Sequence, residues 1–330
     1  MSRCLLKKLL IGGTILLSAA ANAIGEQKPA QPLIKKTEIQ SILEHRDPFV
    51  PPKKLQYYLT LETRIQNSLD GLARRLEKDG FDKKKIQAFY DDKRFKIHPE
   101  ISDYFIFNPE QKAVTYEEYR KKLDLDAKIK AGPDFVKDYA NDLFGAEKKH
   151  GIEAYTIAAI LGVESTYGRN LGDYQAFNAA VSLYSSKMKE FAYTQLKALI
   201  HLGEERKIDI MDIRSSYAVC AFPGQFMIEN IPKLFIGKNG DFKGDLFSMV
   251  DWIYSVAYYL QKAGWNPEQN NQTCVKGTAN WKVIWAYNHS DYYVRAIVEL
   301  ASAIRNNPEV KLLKERNEEV KKLGWMFDIW

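Results

Sequence analysis

Residues 157–168 read Ile157-Ala158-Ala159-Ile160-Leu161-Gly162-Val163-Glu164-Ser165-Thr166-Tyr167-Gly168, an uncharged stretch broken by a single carboxylate. In a helix, Glu164 shares one face with Ile157, Ile160 and Leu161, because positions i, i+3, i+4 and i+7 lie above one another. We expect this face to point into the core of a helical domain. A carboxylate in that setting must be paired, hydrogen-bonded or protonated, since burial disfavours its charged form.

The helix predicted over this stretch stops at Gly168, which Arg169 and Asn170 follow. Two interpretations of Glu164 stay open on these residues alone. It is either a structural carboxylate tied to a backbone amide or an arginine, or a general acid that burial keeps protonated at neutral pH.

The chain begins with the features of a secretory signal peptide at residues 1–23. A basic start precedes an apolar run at 9–17 and an A-x-A site at 21–23. The apolar run is too short to span a membrane. Cys4 precedes that run, so it is not placed as the lipidated cysteine of a lipoprotein. We therefore expect export to the periplasm, cleavage before Ile24 and a soluble mature protein.

The charge and the metal-binding residue types exclude several classes of function. The chain carries 48 Lys and Arg against 42 Asp and Glu, and cleavage leaves 45 against 42. This weak, dispersed charge is not the basic stripe of a nucleic-acid-binding protein, although it suits an anionic polymer such as a cell wall. The two cysteines left after cleavage are not a disulfide framework, and the five histidines lack metal-ligand spacing. We predict no metal and no cofactor.

Apolar residues recur at helical spacing along most of the chain, and strand-like alternation is scarce. We therefore predict a mainly α fold with additional helices N-terminal to the Glu164 stretch. Gly132-Pro133 is expected to break the chain between a helix at 116–129 and another at 134–150.

The predicted organisation has four parts. After the signal peptide come a polar, proline-bearing linker or surface arm at 24–52, a catalytic region at 53–305 and a charged helical tail at 306–330.

Four motifs, in the same order, resemble those of the membrane-bound lytic transglycosylase B family. Residues 162–168 are similar to its G-V-E-[ST]-x-[WY]-G, and residues 216–227 to its S-F-A-G-A-M-G-x-x-Q-F-M. Residues 251–265 resemble its D-A-I-x-S-V-A-N-Y-L…H-G-W, and residues 287–290 its Y-N-x-S. The resemblance implies a lysozyme-like, SLT-type catalytic domain that cleaves peptidoglycan, with Glu164 as the catalytic acid and base.

Two segments depart from the family pattern. Val219-Cys220-Ala221-Phe222 replaces Gly-Ala-Met-Gly, so bulkier side chains stand where the family has two glycines beside the cleft. The family's EF-hand-like loop here reads Gly237–Asp245, with glycine at the first acidic ligand and lysines at 238 and 243. Since Ca²⁺ takes six or more oxygen ligands, we predict that this loop does not bind it tightly. Cys220 lies in the expected cleft segment and is predicted to stay free.

The resemblance also implies a reaction that needs one carboxylate. Most glycosidases use two, and only Glu164 has an apolar setting in this sequence. The C6 hydroxyl of N-acetylmuramic acid (MurNAc) would attack its own C1. Glu164 would protonate the leaving oxygen and then accept the hydroxyl proton, which gives a 1,6-anhydro product.

Four further residues are candidates for substrate binding. Ser216 is expected to bond the Glu164 carboxylate, and Gln225 to contact an N-acetyl or hydroxyl group. Tyr287 and Asn288 are expected to orient the sugar. The alternatives are that Ser216 and Asn288 cap helices, that Gln225 is a satisfied buried amide and that Tyr287 belongs to the core.

Four tryptophans are either sugar-stacking or core residues: Trp252, Trp265, Trp281 and Trp285.

Three functions stay open: a lytic transglycosylase on peptidoglycan glycan strands, a hydrolytic muramidase of the same fold, and a catalytically weak wall-binding or scaffold protein. We expect a monomer, with other cell-wall enzymes as candidate partners and no nucleic acid.

Overall fold

The computed structural model describes residues 61–101, 115–269 and 274–327. The predicted signal peptide and the arm at 24–52 lie outside these residues. The described chain is mainly helical, as predicted. In chain order, the helices are α1 (Leu61–Lys78), α2 (Lys83–Asp91), α3 (Tyr116–Lys122), α4 (Leu125–Asp138), α5 (Ala140–His150), α6 (Ala154–Ser165), α7 (Ala176–Tyr184), α8 (Lys189–Arg206), α9 (Ile231–Leu234), α10 (Met249–Lys262), α11 (Ala279–Tyr287), α12 (Asp291–Asn306) and α13 (Pro308–Phe327).

Short strands and single 3₁₀ turns complete the described secondary structure. The strands are β1 (Tyr174–Gln175), β2 (Arg214–Ser215), β3 (Cys220–Ala221) and β4 (Phe226–Met227), and the 3₁₀ turns are Ile210–Asp212 and Ile228–Asn230. Strand β2 pairs antiparallel with β3, and β3 pairs antiparallel with β4. Among the described residues, no helix combines the length and the apolar character needed to cross a membrane.

The chain divides into two compact units. The first, called the Glu164 unit below, contains the described residues of 115–174 and 214–327. The second contains those of 61–101 and 175–213. Within the second unit, α7 packs against α8, and the ring of Phe177 on α7 lies 4.9 Å from that of Phe89.

Helix α4 runs through Gly132-Pro133, where the sequence predicts a break. The break falls instead at Tyr139, between α4 and α5. Pro133 removes one helical N–H···O bond. However, α4 packs against both α6 and α12, and tertiary packing of this kind overrides local preference. The predicted helix at 116–129 is likewise divided, because Asp124 adopts the left-handed conformation (φ +49°) between α3 and α4.

Helix α6 is enclosed on all sides. Eleven of its 12 residues are buried, and α4, α5, α10 and α12 pack against it. Ala158 and Ala159 do not belong to the face predicted from the sequence, yet both are fully buried. A helix that is apolar all round belongs at the centre of a domain. The burial of Glu164 therefore follows from the position of the whole helix rather than from one amphipathic face.

Candidate active site

The Glu164 carboxylate lies near the end of α6 and is only 4% exposed. Its Oε1 accepts a hydrogen bond of 2.7 Å from the hydroxyl of Tyr293 on α12. Burial favours the neutral acid, whereas a phenol that donates to the carboxylate favours the ionised form. Glu164 is thus a buried carboxylate with a positioned hydrogen-bond donor, an arrangement suited to a proton-transfer group.

The backbone after Glu164 turns sharply. Helix α6 ends at Ser165, three residues before the predicted stop at Gly168, because Thr166 and Tyr167 already adopt left-handed backbone (φ +52° and +59°). The Tyr167 ring folds back onto the helix. A Cβ atom on residue 162 would lie 2.7 Å from that ring, so the glycine of the motif permits the close approach.

Helix α4 fixes this turn from the other side. The Tyr167 hydroxyl donates to the Lys128 carbonyl at 2.9 Å, and Lys128 Nζ donates to Thr166 Oγ1 at 3.1 Å. Burial lowers the pKa of Lys128, and the charge of Asp124 opposes this effect. The segment that carries Glu164 is thus held by hydrogen bonds to a second helix, which no sequence pattern indicated.

Tyr293 is the second site residue that no sequence pattern singled out. Its ring stacks on that of Tyr287 at a centroid distance of 6.4 Å and an interplanar angle of 11°. Tyr292 beside it turns instead toward the rings of Tyr116 and Tyr119. The only available signal was the tyrosine pair just after the Y-N-x-S motif, and the sequence does not reveal which of the two faces Glu164.

Replacing Tyr293 by phenylalanine should lower kcat by roughly tenfold, with little change in KM. The ring would still stack on Tyr287, but Glu164 Oε1 would lose its buried donor. Steady-state kinetics on solubilised peptidoglycan would measure this effect. Tyr292→Phe is the matched control and should keep the parent kcat. Equal rates for all three proteins would exclude a positioning role for the Tyr293 hydroxyl.

Ser216 lies at the start of the turn between β2 and β3. Its Oγ accepts hydrogen bonds from the backbone N–H groups of Ala218 (3.3 Å) and Cys220 (3.2 Å). Ser216 N donates in turn to the Cys220 carbonyl at 2.8 Å. These bonds give Ser216 a structural role in the turn, and its expected bond to Glu164 stays a prediction.

Gln225 is buried in the next turn, between β3 and β4, with left-handed backbone (φ +48°). Its Nε2 donates to the carbonyls of Leu171 (3.2 Å) and Phe222 (3.0 Å). Its Oε1 has no hydrogen-bond partner among the described residues. The amide group is therefore held by its donor side and keeps one acceptor for another group.

Tyr287 and Asn288 end helix α11. The Tyr287 hydroxyl donates to the Gly224 carbonyl at 2.5 Å, so this side chain joins the Tyr293 ring to the turn that carries Gln225. Asn288 is the C-cap residue of α11, and its backbone N–H donates to the Ile284 carbonyl. The structure thus connects Glu164, Tyr287 and Gln225 through contacts, with Asn288 adjacent in the chain.

The four tryptophans separate into two groups. Trp252 and Trp265 are buried and belong to the core. Trp281 and Trp285 are half-buried on α11 and stack on each other at a centroid distance of 6.0 Å. That Cys220 stays free in the exported protein stays a prediction. Both Cys220 and Cys274 are buried free thiols, and burial raises the pKa of Cys274 to about 11.

Oxygen atoms in and beside the Gly237–Asp245 loop already accept hydrogen bonds from the chain. Both carboxylate oxygens of Asp251 accept backbone N–H bonds, from Lys238 at 2.8 Å and from Asp245 at 2.7 Å. Lys149 Nζ donates to the Lys238 carbonyl, and Lys238 Nζ pairs with Asp142 at 2.7 Å. The Asp251 carboxylate and the Lys238 carbonyl are thus engaged by donors of the chain, and the ammonium groups of Lys149 and Lys238 lie beside or within the loop.

Calcium should neither bind this loop tightly nor stabilise the protein, since too few oxygens are left as ligands. Titration calorimetry with calcium chloride should show no micromolar binding, and EDTA should leave the melting temperature unchanged. Micromolar binding that disappears in Asp241→Ala would contradict this expectation.

Comparisons with known proteins identify the family to which the chain belongs. The family described as Transglycosylase SLT domain matches residues 64–277. Membrane-bound lytic murein transglycosylase B of Escherichia coli (strain K12) is 28% identical to the chain over 149 residues, which are 44% of the chain and 41% of that protein. The chain therefore spans less than half the length of this curated relative. The predicted resemblance to the family is confirmed.

Three solved structures share the fold. Soluble lytic transglycosylase SltB1 from Pseudomonas aeruginosa has a TM-score of 0.64 and 24% identity, with coverage of 72% of this chain and 98% of that one. Escherichia coli Slt35 in complex with calcium has a TM-score of 0.60 and 21% identity, with coverage of 73% and 92%. Pseudomonas aeruginosa SltB3 in complex with NAG-NAM-pentapeptide has a TM-score of 0.63 and 19% identity, with coverage of 74% and 80%. The lysozyme-like, SLT-type fold is thus confirmed.

Proposed function

The chain belongs to the transglycosylase SLT domain family, and we propose that it is a lytic transglycosylase of peptidoglycan. In this proposal it cleaves the bond between MurNAc and N-acetylglucosamine and leaves 1,6-anhydro-MurNAc ends. Glu164 is the single acid and base. The names of the relatives support the substrate class, and the chemistry rests on the surroundings of Glu164.

One observation carries the proposal. Glu164 is the only Asp or Glu among the buried side chains of the described residues. Asp173, the acidic residue nearest to it along the chain, is exposed. In most glycosidases, a covalent glycosyl-enzyme or an activated water depends on a second carboxylate beside the reacting bond. With one buried acid, the nucleophile that fits best is a hydroxyl group of the substrate itself.

The reaction balances with one proton-transfer group. Glu164 gives its proton to the bridging oxygen as the bond from that oxygen to C1 of MurNAc breaks. The C6 hydroxyl oxygen then bonds to C1, and its proton passes to the Glu164 carboxylate. The acid is thereby regenerated, and no water is consumed. The Tyr293 hydroxyl steadies the carboxylate between the two steps.

The other predicted residues would hold the sugar in this proposal. The Gln225 Oε1 is an acceptor suited to the N–H of an N-acetyl group. Asn288 and Tyr287 would orient the ring at C1, while Ser216 would shape the turn that leads to the cleft. SltB3 is named as a complex with NAG-NAM-pentapeptide, which supports a glycan strand with peptide stems as the partner here.

Mass analysis of the products tests the proposal. Purified peptidoglycan digested with the mature protein should yield fragments with anhydro ends. Fragments that carry an added water instead would favour the hydrolytic muramidase. Binding to the wall without any cleavage would favour the wall-binding or scaffold function.

We also propose that the protein acts outside the cytoplasm, as the predicted signal peptide and its wall-lytic relatives suggest. N-terminal sequencing of the exported protein should find Ile24 as the first residue. Retention of Met1, or an attached lipid, would contradict this.

A further inference from the structure

The two turns that flank β3 hold an unusual concentration of backbone strain. Val219, Phe222 and Gln225 all have positive φ, at +62°, +65° and +48°. Branched and bulky residues rarely adopt this conformation. Such strain persists only where the surroundings impose it, and it tends to mark functional positions. Of these three residues with positive φ, Phe222 is the one whose side chain packs against other aromatic rings.

A buried aromatic cluster holds the Phe222 ring in place. Phe222 stacks on Trp252 at a centroid distance of 5.7 Å and an angle of 18°, and Phe226 meets the same indole edge-on at 5.1 Å. Trp252 is fully buried, and its Nε1 donates to the Leu246 carbonyl at 2.8 Å. The position of the Phe222 ring is therefore fixed by the core of the unit.

Phe247 extends this cluster to the surface. Its ring meets Phe222 edge-on at 6.1 Å, yet its side chain is 64% exposed. The backbone on both sides is held: Phe247 N donates to Asp245 Oδ1, and the Ser248 hydroxyl caps α10. A large apolar ring is thus presented to solvent on a fixed backbone, although burying it would be favourable.

Phe222 also connects this exposed ring to the proposed sugar site. Its carbonyl accepts a hydrogen bond from Gln225 Nε2, while its ring supports Phe247. Phe222 therefore positions both the Gln225 amide and the Phe247 ring. Ligand sites combine a few fixed polar groups with aromatic surface in this way.

We propose that Phe247 is a stacking platform for one sugar ring of the glycan strand. The groups next to that ring would bind at Gln225. The apolar C–H face of a pyranose would cover the exposed phenyl ring, and the N-acetyl group would bond the Gln225 amide. This inference rests on the proposed function, because it takes the glycan strand as the ligand. It assigns Phe247 to binding and not to proton transfer.

Calorimetry on a catalytically silent background tests the platform. The Glu164→Gln protein, whose cleavage is expected to be at least roughly 100-fold slower, is titrated with a tetrasaccharide of alternating N-acetylglucosamine and MurNAc. Adding Phe247→Ala should raise Kd by roughly tenfold, whereas adding Phe247→Tyr should keep it within a factor of about two. Because Phe247 is exposed, the melting temperatures of all these proteins should agree.

Phe242→Ala is the matched control. Phe242 is also exposed, at 45%, but its ring lies against Tyr258 instead of Phe222. It should leave Kd unchanged. If the background protein binds the tetrasaccharide and Phe247→Ala binds it equally well, the platform is refuted and the proposed function stands. If the background protein does not bind it at all, both fail.

Discussion

Replacing Glu164 by glutamine is expected to reduce the rate of peptidoglycan cleavage by at least roughly 100-fold. Glutamine keeps the shape of the side chain and can accept the Tyr293 hydrogen bond, but it has no acidic proton to give. Because no other buried Asp or Glu lies among the described residues, none of these could replace the lost acid. The rate of release of soluble fragments from purified peptidoglycan measures the effect.

The control for this variant is Glu268→Gln, which changes an exposed glutamate in the same unit. It should retain the parent rate. Circular dichroism should show the same melting temperature for both variants within a few degrees, since neither creates a cavity. Activity of Glu164→Gln equal to that of the parent would remove the catalytic assignment.

Replacing Gly172 by alanine should lower the free energy of unfolding by roughly 3 kcal/mol or displace its loop. The residue has φ +111°, and its Cβ would lie 2.0 Å from the Ser215 carbonyl oxygen. The Gly172 carbonyl also accepts hydrogen bonds from the Arg214 guanidinium at 3.1 and 3.2 Å. Its neighbour Leu171 holds the Gln225 amide, so displacement of the loop would also release one hydrogen bond of that amide.

Gly264 provides the comparison for this variant. Its φ is +94°, but a Cβ there would meet no atom within 4 Å. Gly264→Ala should therefore cost only about 1 kcal/mol, from backbone strain without a clash. Urea denaturation of the two variants would give both values. Equal losses would show that the contact with Ser215 is not what requires glycine at 172.

The sequence predicts the helical class and the burial of Glu164, because both depend on local patterns. Apolar spacing indicates helices wherever one face is buried, and a lone carboxylate within an apolar stretch has few explanations. The prediction is wrong at Gly132-Pro133. There the packing of α4 against two other helices decides the outcome, and the sequence around the proline contains no trace of that packing.

The surroundings of Glu164 were harder to predict, because they come from distant parts of the chain. Tyr293 is 129 positions away from Glu164, and Lys128 is 38 positions away from Thr166. No pattern in the sequence around either residue indicates a contact over such a distance along the chain. Gln225 was identified from a motif, but its strained backbone was not, since a positive φ in a non-glycine residue is imposed by neighbouring structure.

The enclosure of α6 makes the backbone around Glu164 more rigid than the turns of the same unit. Amide groups of a helix surrounded on every side exchange with solvent only when the whole unit opens, whereas turns open by local fluctuation. We therefore expect Glu164 to lie in the slowest-exchanging backbone, while Gln225 and Phe247 come from turns of the same unit. Substitutions in these turns are therefore expected to leave Glu164 in place. Selection for new substrates therefore has room to act on the turns while the register of α6 is kept.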